Sequence, residues 1–178
     1  MAGMCCSDQA KALALLPRVP VVMTAAYEHK RAGILVERVM VCAEEPACVA
    51  IAMPKGHRLA TLIRDSHTFA LNIVDPKQRL LLKKFDGGSD PDAFELLESR
   101  TLATGSPCLA RATACLDCDV MRHLDLEADY ELYVGLVLAT WIPGGTRNES
   151  GAGTPAAATM SSHGQFTGLL QQRPEAVA

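Results

Sequence analysis

Short apolar runs, separated by polar or glycine- and proline-bearing breaks, fill residues 17–142, and their length predicts strands more than long helices. Residues 19–24 (VPVVMT) read as a buried strand introduced by Pro17 and Pro20, followed by a polar turn over 27–31, after which Gly33 restarts extended chain. Over residues 34–42 (ILVERVMVC), Ile34, Val36, Arg38, Met40 and Cys42 share one parity, while Leu35, Glu37, Val39 and Val41 share the other. Successive strand residues face opposite ways, so each face carries one charge amid apolar neighbours. One strand is expected here, buried on one side and beside a polar feature on the other.

Residues 47–74 (ACVAIAMPKGHRLATLIRDSHTFALNIV) organise the middle of the chain. An apolar strand over 47–53 leads into the polar break Pro54-Lys55-Gly56-His57-Arg58, an amphipathic helix over 59–65, and a second strand ending at Asn72, Ile73 and Val74. Asp75-Pro76 then offers an N-cap and a first-turn proline for a helix carrying Leu80, Leu81 and Phe85 and closing at Gly87-Gly88. A further helix is expected from Asp90-Pro91, carrying Phe94, Leu96 and Leu97, with a turn at 104–107. Residues 110–124 alternate as a long antiparallel strand with one wet face, and residues 130–142 (YELYVGLVLATWI) return after a polar turn at 125–129. Strands joined in this way, with helices confined to two places, predict a mainly β fold with helical additions: a barrel or a curled antiparallel sheet.

The organisation that follows is an N-terminal leader over 1–16, one domain over 17–142, and a Gly/Ala-rich linker and C-terminal tail over 143–178, in which 161–170 regains apolar character. With 178 residues and 49% of them hydrophobic, one domain with a substantial core is expected. The net charge of -3 gives no general attraction to nucleic acid or acidic membranes, so anion binding must come from a local cluster. No apolar run reaches the roughly 18 residues of a membrane span and no signal peptide stands at the start, which places the chain in the cytoplasm. Seven cysteines without a regular framework predict reduced thiols and no structural disulfide.

Candidate chemistry centres on Lys55, His57 and Arg58. A basic, glycine-containing turn at a helix start offers unpaired backbone N–H groups beside mobile positive charge, which suits a phosphate; alone, it would more often be a solvated turn. Cys115 and Cys118 form a C-x-x-C, but strand residues three apart face opposite ways and no second ligand pair accompanies them, so no metal or redox site is read there. Isolated His123 and His163 read as surface or packing residues.

In this order the chain resembles the flavin reductase-like family, whose fold is the FMN-binding split β-barrel. The matching pieces are PRVPVVMT (17–24), AGILVERVMVCAEEPACVAIAM (32–53), KGHRLATLI (55–63), FALNIV (69–74), TGSPCLARATACLDCDV (104–120) and YELYVGLVLA (130–139). The resemblance implies a homodimer with FMN near the subunit interface, hydride supplied by NADH or NADPH, and a flavin-dependent oxygenase or other electron acceptor as partner. It places the flavin-lining strand, a Met-Thr-x-Ser type run, on Ile34, Leu35, Val36 and Glu37, with Arg38 and Ala52 beside it. The family's Lys-Ser-His-like phosphate turn falls on Lys55, Gly56 and His57, with Arg58 next; Asn72 matches an asparagine in the Phe-x-Val-Asn-Val strand, and Gly135 a glycine in the last motif. Leu35 and Glu37 stand where the family has hydroxyl residues, and Leu136 where it has an acid, so two hydroxyl contacts to the flavin are missing. A carboxylate at Glu37 disfavours an adjacent phosphate unless a cation neutralises it. The activity implied is a flavin reductase; the alternative is an FMN-binding electron carrier or flavin-holding dimer without its own nicotinamide site.

Overall fold

Alternation of β-branched and apolar residues with polar ones draws 49% of the described residues into strands, as a computed structural model shows for residues 11–87 and 93–144. All the described residues fall in the unit Met1–Gly145. Strands β1 (Val21–Tyr27), β2 (Lys30–Val36), β3 (Arg38–Glu44) and β4 (Ala47–Pro54) lead to helix α1 (Arg58–Ser66) and β5 (Thr68–Ile73). Helix α2 (Arg79–Lys84) precedes the short strands β6 (Ser99–Arg100) and β7 (Cys108–Leu109) and the long pair β8 (Ala114–Asp125) and β9 (Tyr130–Trp141). Seven strands form one sheet in the order β2-β1-β5-β8-β9-β4-β3, and β6 pairs with β7 in a second. Every pairing is antiparallel.

The two edges of the seven-stranded sheet, β2 and β3, are consecutive in sequence and separated only by Glu37. The sheet therefore curls until its first and last strands meet at one residue. Met23, Ile34, Val36, Val49, Ile51, Met53, Phe69 and Leu71 fill the enclosed side, closed by Leu59, Leu62 and Ile63 of α1. A second core on the outer face joins Val22, Val74, Leu81, Phe85, Phe94 and Leu109, so β1 is buried on both faces. Phe69 lies against Gly135, where any Cβ would collide with its ring. That close approach explains the glycine in the middle of β9.

Several sequence expectations need correction. Residues 34–42 form two strands that part at Glu37, where the chain passes from one sheet edge to the other. Asp75 does not start the helix: its carboxylate accepts from the Lys77 N–H at 2.9 Å, and α2 begins at Arg79. Residues 93–96 are a turn, with Leu96 at φ 60 and fully exposed; residues 88–92 lie outside the described chain. The strand expected from residue 110 starts at Ala114, and the side expected to be wet is covered at Cys115 and Asp117, both at 0% exposure. Asp117 accepts from the Thr104 backbone N–H at 2.8 Å and from the Thr104 hydroxyl, which ties the 104–107 turn over this face.

The expected absence of a disulfide is also corrected, since Cys108 and Cys115 are bonded. The folding-back of β7 onto the start of β8 sets their Cα atoms 6.0 Å apart, within disulfide reach. Cys118, three residues on, belongs to the enclosed core instead, and burial pushes its thiol up to about 12. The C-x-x-C is thus divided between two cores.

Candidate functional site

A cavity of about 190 Å³ opens where the sheet edges meet. Leu35, Val36, Glu37, Arg38 and Ala52 line it with Pro54, Asp86 and Tyr130. Five of the ten sequence-predicted positions thus share one cavity. Ile34, on the same inward face as Val36 but two residues further from the corner at Glu37, lies in the enclosed core with 5% exposure. Across the ladders Arg38 stands opposite Ala52, and Tyr130 opposite Pro54. The register lets Arg38 reach diagonally over β4, placing its guanidinium carbon 4.1 Å from the Tyr130 ring centroid.

The charge of Glu37 is answered from the leader side. Its carboxylate takes a hydrogen bond from Arg18 at 3.1 Å, and its backbone carbonyl accepts from the Val19 N–H at 3.3 Å. Both side chains are 44% exposed, so the pair adds little stability, yet it neutralises a carboxylate at the cavity mouth. Beyond the rim an apolar groove of about 360 Å³ shares Arg38 and Ala52 with the cavity and continues over Val39, Met40 and Leu132.

The basic turn leaves the cavity wall at Pro54. Gly56 takes φ +80, a left-handed conformation that glycine adopts without strain, and turns the chain into α1. His57 caps the helix: its Nδ1 accepts the Leu59 N–H at 3.1 Å. In the neutral ring the hydrogen then sits on Nε2, a buried donor with no protein partner among the described residues. Burial, and then the neighbouring Arg58, hold this imidazole below its usual pKa. Lys55 pairs with Asp125 at the β8–β9 turn, and its backbone N–H donates to the Asp129 carbonyl at 3.0 Å. Arg58 turns the other way, donating from Nη2 to the Arg31 carbonyl at 3.3 Å. The three basic residues fan out rather than converge: Lys55 turns to the end of β8, Arg58 to the start of β2, and His57 back onto its own helix.

Asn72 is fully enclosed. Its Nδ2 donates to the Val22 carbonyl and Thr24 hydroxyl, both at 3.1 Å, and its Oδ1 accepts the Leu109 N–H at 2.7 Å. The amide joins β5 to β1 and β7, so its place here is structural. Sequence reasoning missed Tyr130, Pro54 and Asp86 as cavity residues. The only local signal was Tyr130 opening an apolar strand after a polar turn; its partnership with Arg38 depends on register across three strands.

Comparison with known proteins gives one consistent result. The profile described as "Flavin reductase like domain" matches residues 13–166. A diflavin flavoprotein A 1 of Thermosynechococcus vestitus is 30% identical over 132 residues, covering 71% of this chain; the chain spans only 23% of that relative. An NADPH-flavin oxidoreductase of Streptomyces viridifaciens is 28% identical over 127 residues, covering 69% of this chain and 66% of the relative. The crystal structure of nitrilotriacetate monooxygenase component B from Mycobacterium thermoresistibile superimposes with a TM-score of 0.70 at 24% identity, covering 79% of this chain and 80% of that one. At that identity the superposition establishes the shared fold, a flavin-reductase split barrel.

Proposed function

Because this chain belongs to the flavin reductase like domain family, we propose that it binds FMN at the split between β2 and β3 and passes hydride to flavin from NADH or NADPH. The observation that carries this reading is the cavity at the meeting of the sheet edges, which gathers Leu35, Val36, Glu37, Arg38 and Ala52 as the family pattern implies. Its residues suit a flavin: Leu35, Val36, Ala52 and Pro54 give apolar walls, and Tyr130 with Arg38 gives a flat cationic one. Flavin, when bound, supplies the two-electron chemistry, accepting hydride at N5 as the dihydronicotinamide becomes NAD(P)+.

This chain's residues hold, orient and shield. The buried Nε2–H of His57 needs an acceptor, and a phosphate oxygen is the acceptor the family pattern puts there. Lys55 lies beside it in a partly exposed pair with Asp125, which an anion can outcompete. Arg38 offsets the negative charge of reduced flavin, and Arg18 keeps the Glu37 carboxylate from opposing it.

The protein acts as a homodimer in this reading. At about 190 Å³ the cavity falls short of the roughly 300 Å³ and upward usual for a cofactor, so a second copy is needed to complete it. Edge strand β3 has one ladder unpaired among the described residues, with Met40 61% and Val41 67% exposed. A monooxygenase is the acceptor proposed for the reduced flavin, since one relative is named a flavin-dependent monooxygenase reductase subunit. Purified protein should be yellow, release FMN on heating, and oxidise NADH or NADPH when given free flavin. Colourless protein that takes up no added FMN would remove the reading; a yellow protein inert to both nicotinamides would make it an electron carrier.

A further inference from the structure

A second cavity, of about 560 Å³, lies at the far end of β2 from the split. Lys30 and Arg31 open β2 on one side of it, His29 stands in the β1–β2 turn, and Arg58 and Thr61 come from α1. Among the described residues, three permanent cations and an imidazole line this cavity with one carboxylate, Glu95, on a chain whose overall charge is -3. Concentrated positive charge in a concave site selects an anion. The floor is apolar, made by Leu62 and Phe94, and the Arg31 guanidinium lies 5.1 Å from the Phe94 ring centroid. Flat, cationic and aromatic surfaces together suit a phosphorylated aromatic heterocycle better than inorganic phosphate.

The position of this cleft narrows the choice. Arg31 and Leu35 share one face of β2, four residues or about 13 Å apart. Phe94 packs edge-on against Phe85 with centroids 5.5 Å apart, and the next residue, Asp86, lines the split cavity. One aromatic pair, buried in the second core, thus links the residues that line the two cavities. An extended ligand with a redox ring at one end and a phosphorylated adenosine at the other can reach from one cavity to the other.

We propose that the cleft of Lys30, Arg31 and Arg58 holds the 2′-phosphate of the adenosine end of NADPH, making NADPH the preferred reductant. The proposal deepens the hydride-transfer reading and rests on it for the identity of the ligand. Arg31 supplies a planar fork for phosphate oxygens, Lys30 a mobile point charge, and Arg58 a guanidinium braced on the Arg31 carbonyl.

The test titrates 2′,5′-ADP and 5′-AMP into the full chain by calorimetry and measures KM for both nicotinamides. The 2′-phosphate should tighten binding at least tenfold, and Lys30→Ala with Arg31→Ala should abolish that difference and raise KM for NADPH, leaving KM for NADH unchanged. Lys30→Ala alone, at an exposed position, should give a several-fold part of the effect and keeps the test open if Arg31→Ala unfolds the chain. Equal binding of the two probes, or discrimination that survives both substitutions, would overturn the proposal. Flavin reduction from both nicotinamides with equal KM would overturn the cleft and leave the hydride-transfer reading standing. Tight 2′,5′-ADP binding by a chain that oxidises neither nicotinamide would overturn that reading, and with it the assignment of NADPH as ligand.

Discussion

Arg38 lies across the Tyr130 ring, its guanidinium carbon 4.1 Å from the centroid, and so ties the free edge of the sheet to the first residue of β9. The contact walls the split cavity on the side where a flat ligand must rest. Replacing Tyr130 with Leu removes the ring and leaves Arg38 unsupported. FMN affinity, read by flavin fluorescence quenching, should fall about three- to tenfold, in keeping with a cation–π contact of about 0.5–1 kcal/mol plus lost stacking. Undiminished affinity would take this wall out of the site.

His57 and Lys55 supply the anion contact in the proposed function. The double variant Lys55→Ala, His57→Ala should weaken FMN binding by at least about tenfold, or about 1.4 kcal/mol. Equal affinity for FMN and riboflavin in the unaltered protein would show that no phosphate is held, and would dispose of this role.

His57 also ties stability to pH. Its folded pKa is lowered by burial and by Arg58, while in the unfolded chain it returns to about 6.5. Below that value the unfolded chain takes up a proton that the folded imidazole resists, so stability contributed by the neutral ring is present above about pH 6.5 and is lost as pH falls through the folded pKa. His57→Asn keeps a capping oxygen for the Leu59 N–H without titrating. Urea denaturation between pH 5 and 7 should show a shallower acid loss for the variant; parallel curves would contradict the linkage.

The strands were legible because alternation is a local property: residues 47–53 and 130–142 declared themselves by apolar length alone, and β4 and β9 stand there. The break at Glu37 was not, since apolar alternation continues on both sides of it with no glycine or proline to mark a corner. What parts β2 from β3 is closure of the whole sheet. The basic turn was legible as composition, but the direction each side chain takes was not, because the partner of Lys55, Asp125, lies seventy residues away. The disulfide joins cysteines only seven residues apart and was hidden for a different reason: Cys108 meets Cys115 only once β7 folds back on β8.

Gly135 marks a packing limit that a single methyl exceeds. Gly135→Ala drives a Cβ into the Phe69 ring and toward Cys118, both in the enclosed core. Overpacking of this kind costs about 1–3 kcal/mol. Pairing it with Phe69→Leu should recover part of the loss in thermal denaturation, whereas additive losses would show that ring contact is not the cause.

Cys108→Ser with Cys115→Ser opens a short loop on the outer face and should cost about 2–3 kcal/mol on the chain-entropy estimate. Non-reducing peptide mapping of the intact protein should recover the two cysteines as one cross-linked fragment. Recovery as separate peptides would refute the bond.

Glu37 alone spans the passage between β2 and β3. A one-residue insertion at that corner would have to be absorbed by one of the two ladders, and a slip of one position turns inward side chains such as Val36 out to water. Deletion would drag the two margins together and shut the mouth. Evolution and engineering alike are left with exchange of side chains, not of length, as the means of altering what this corner accepts.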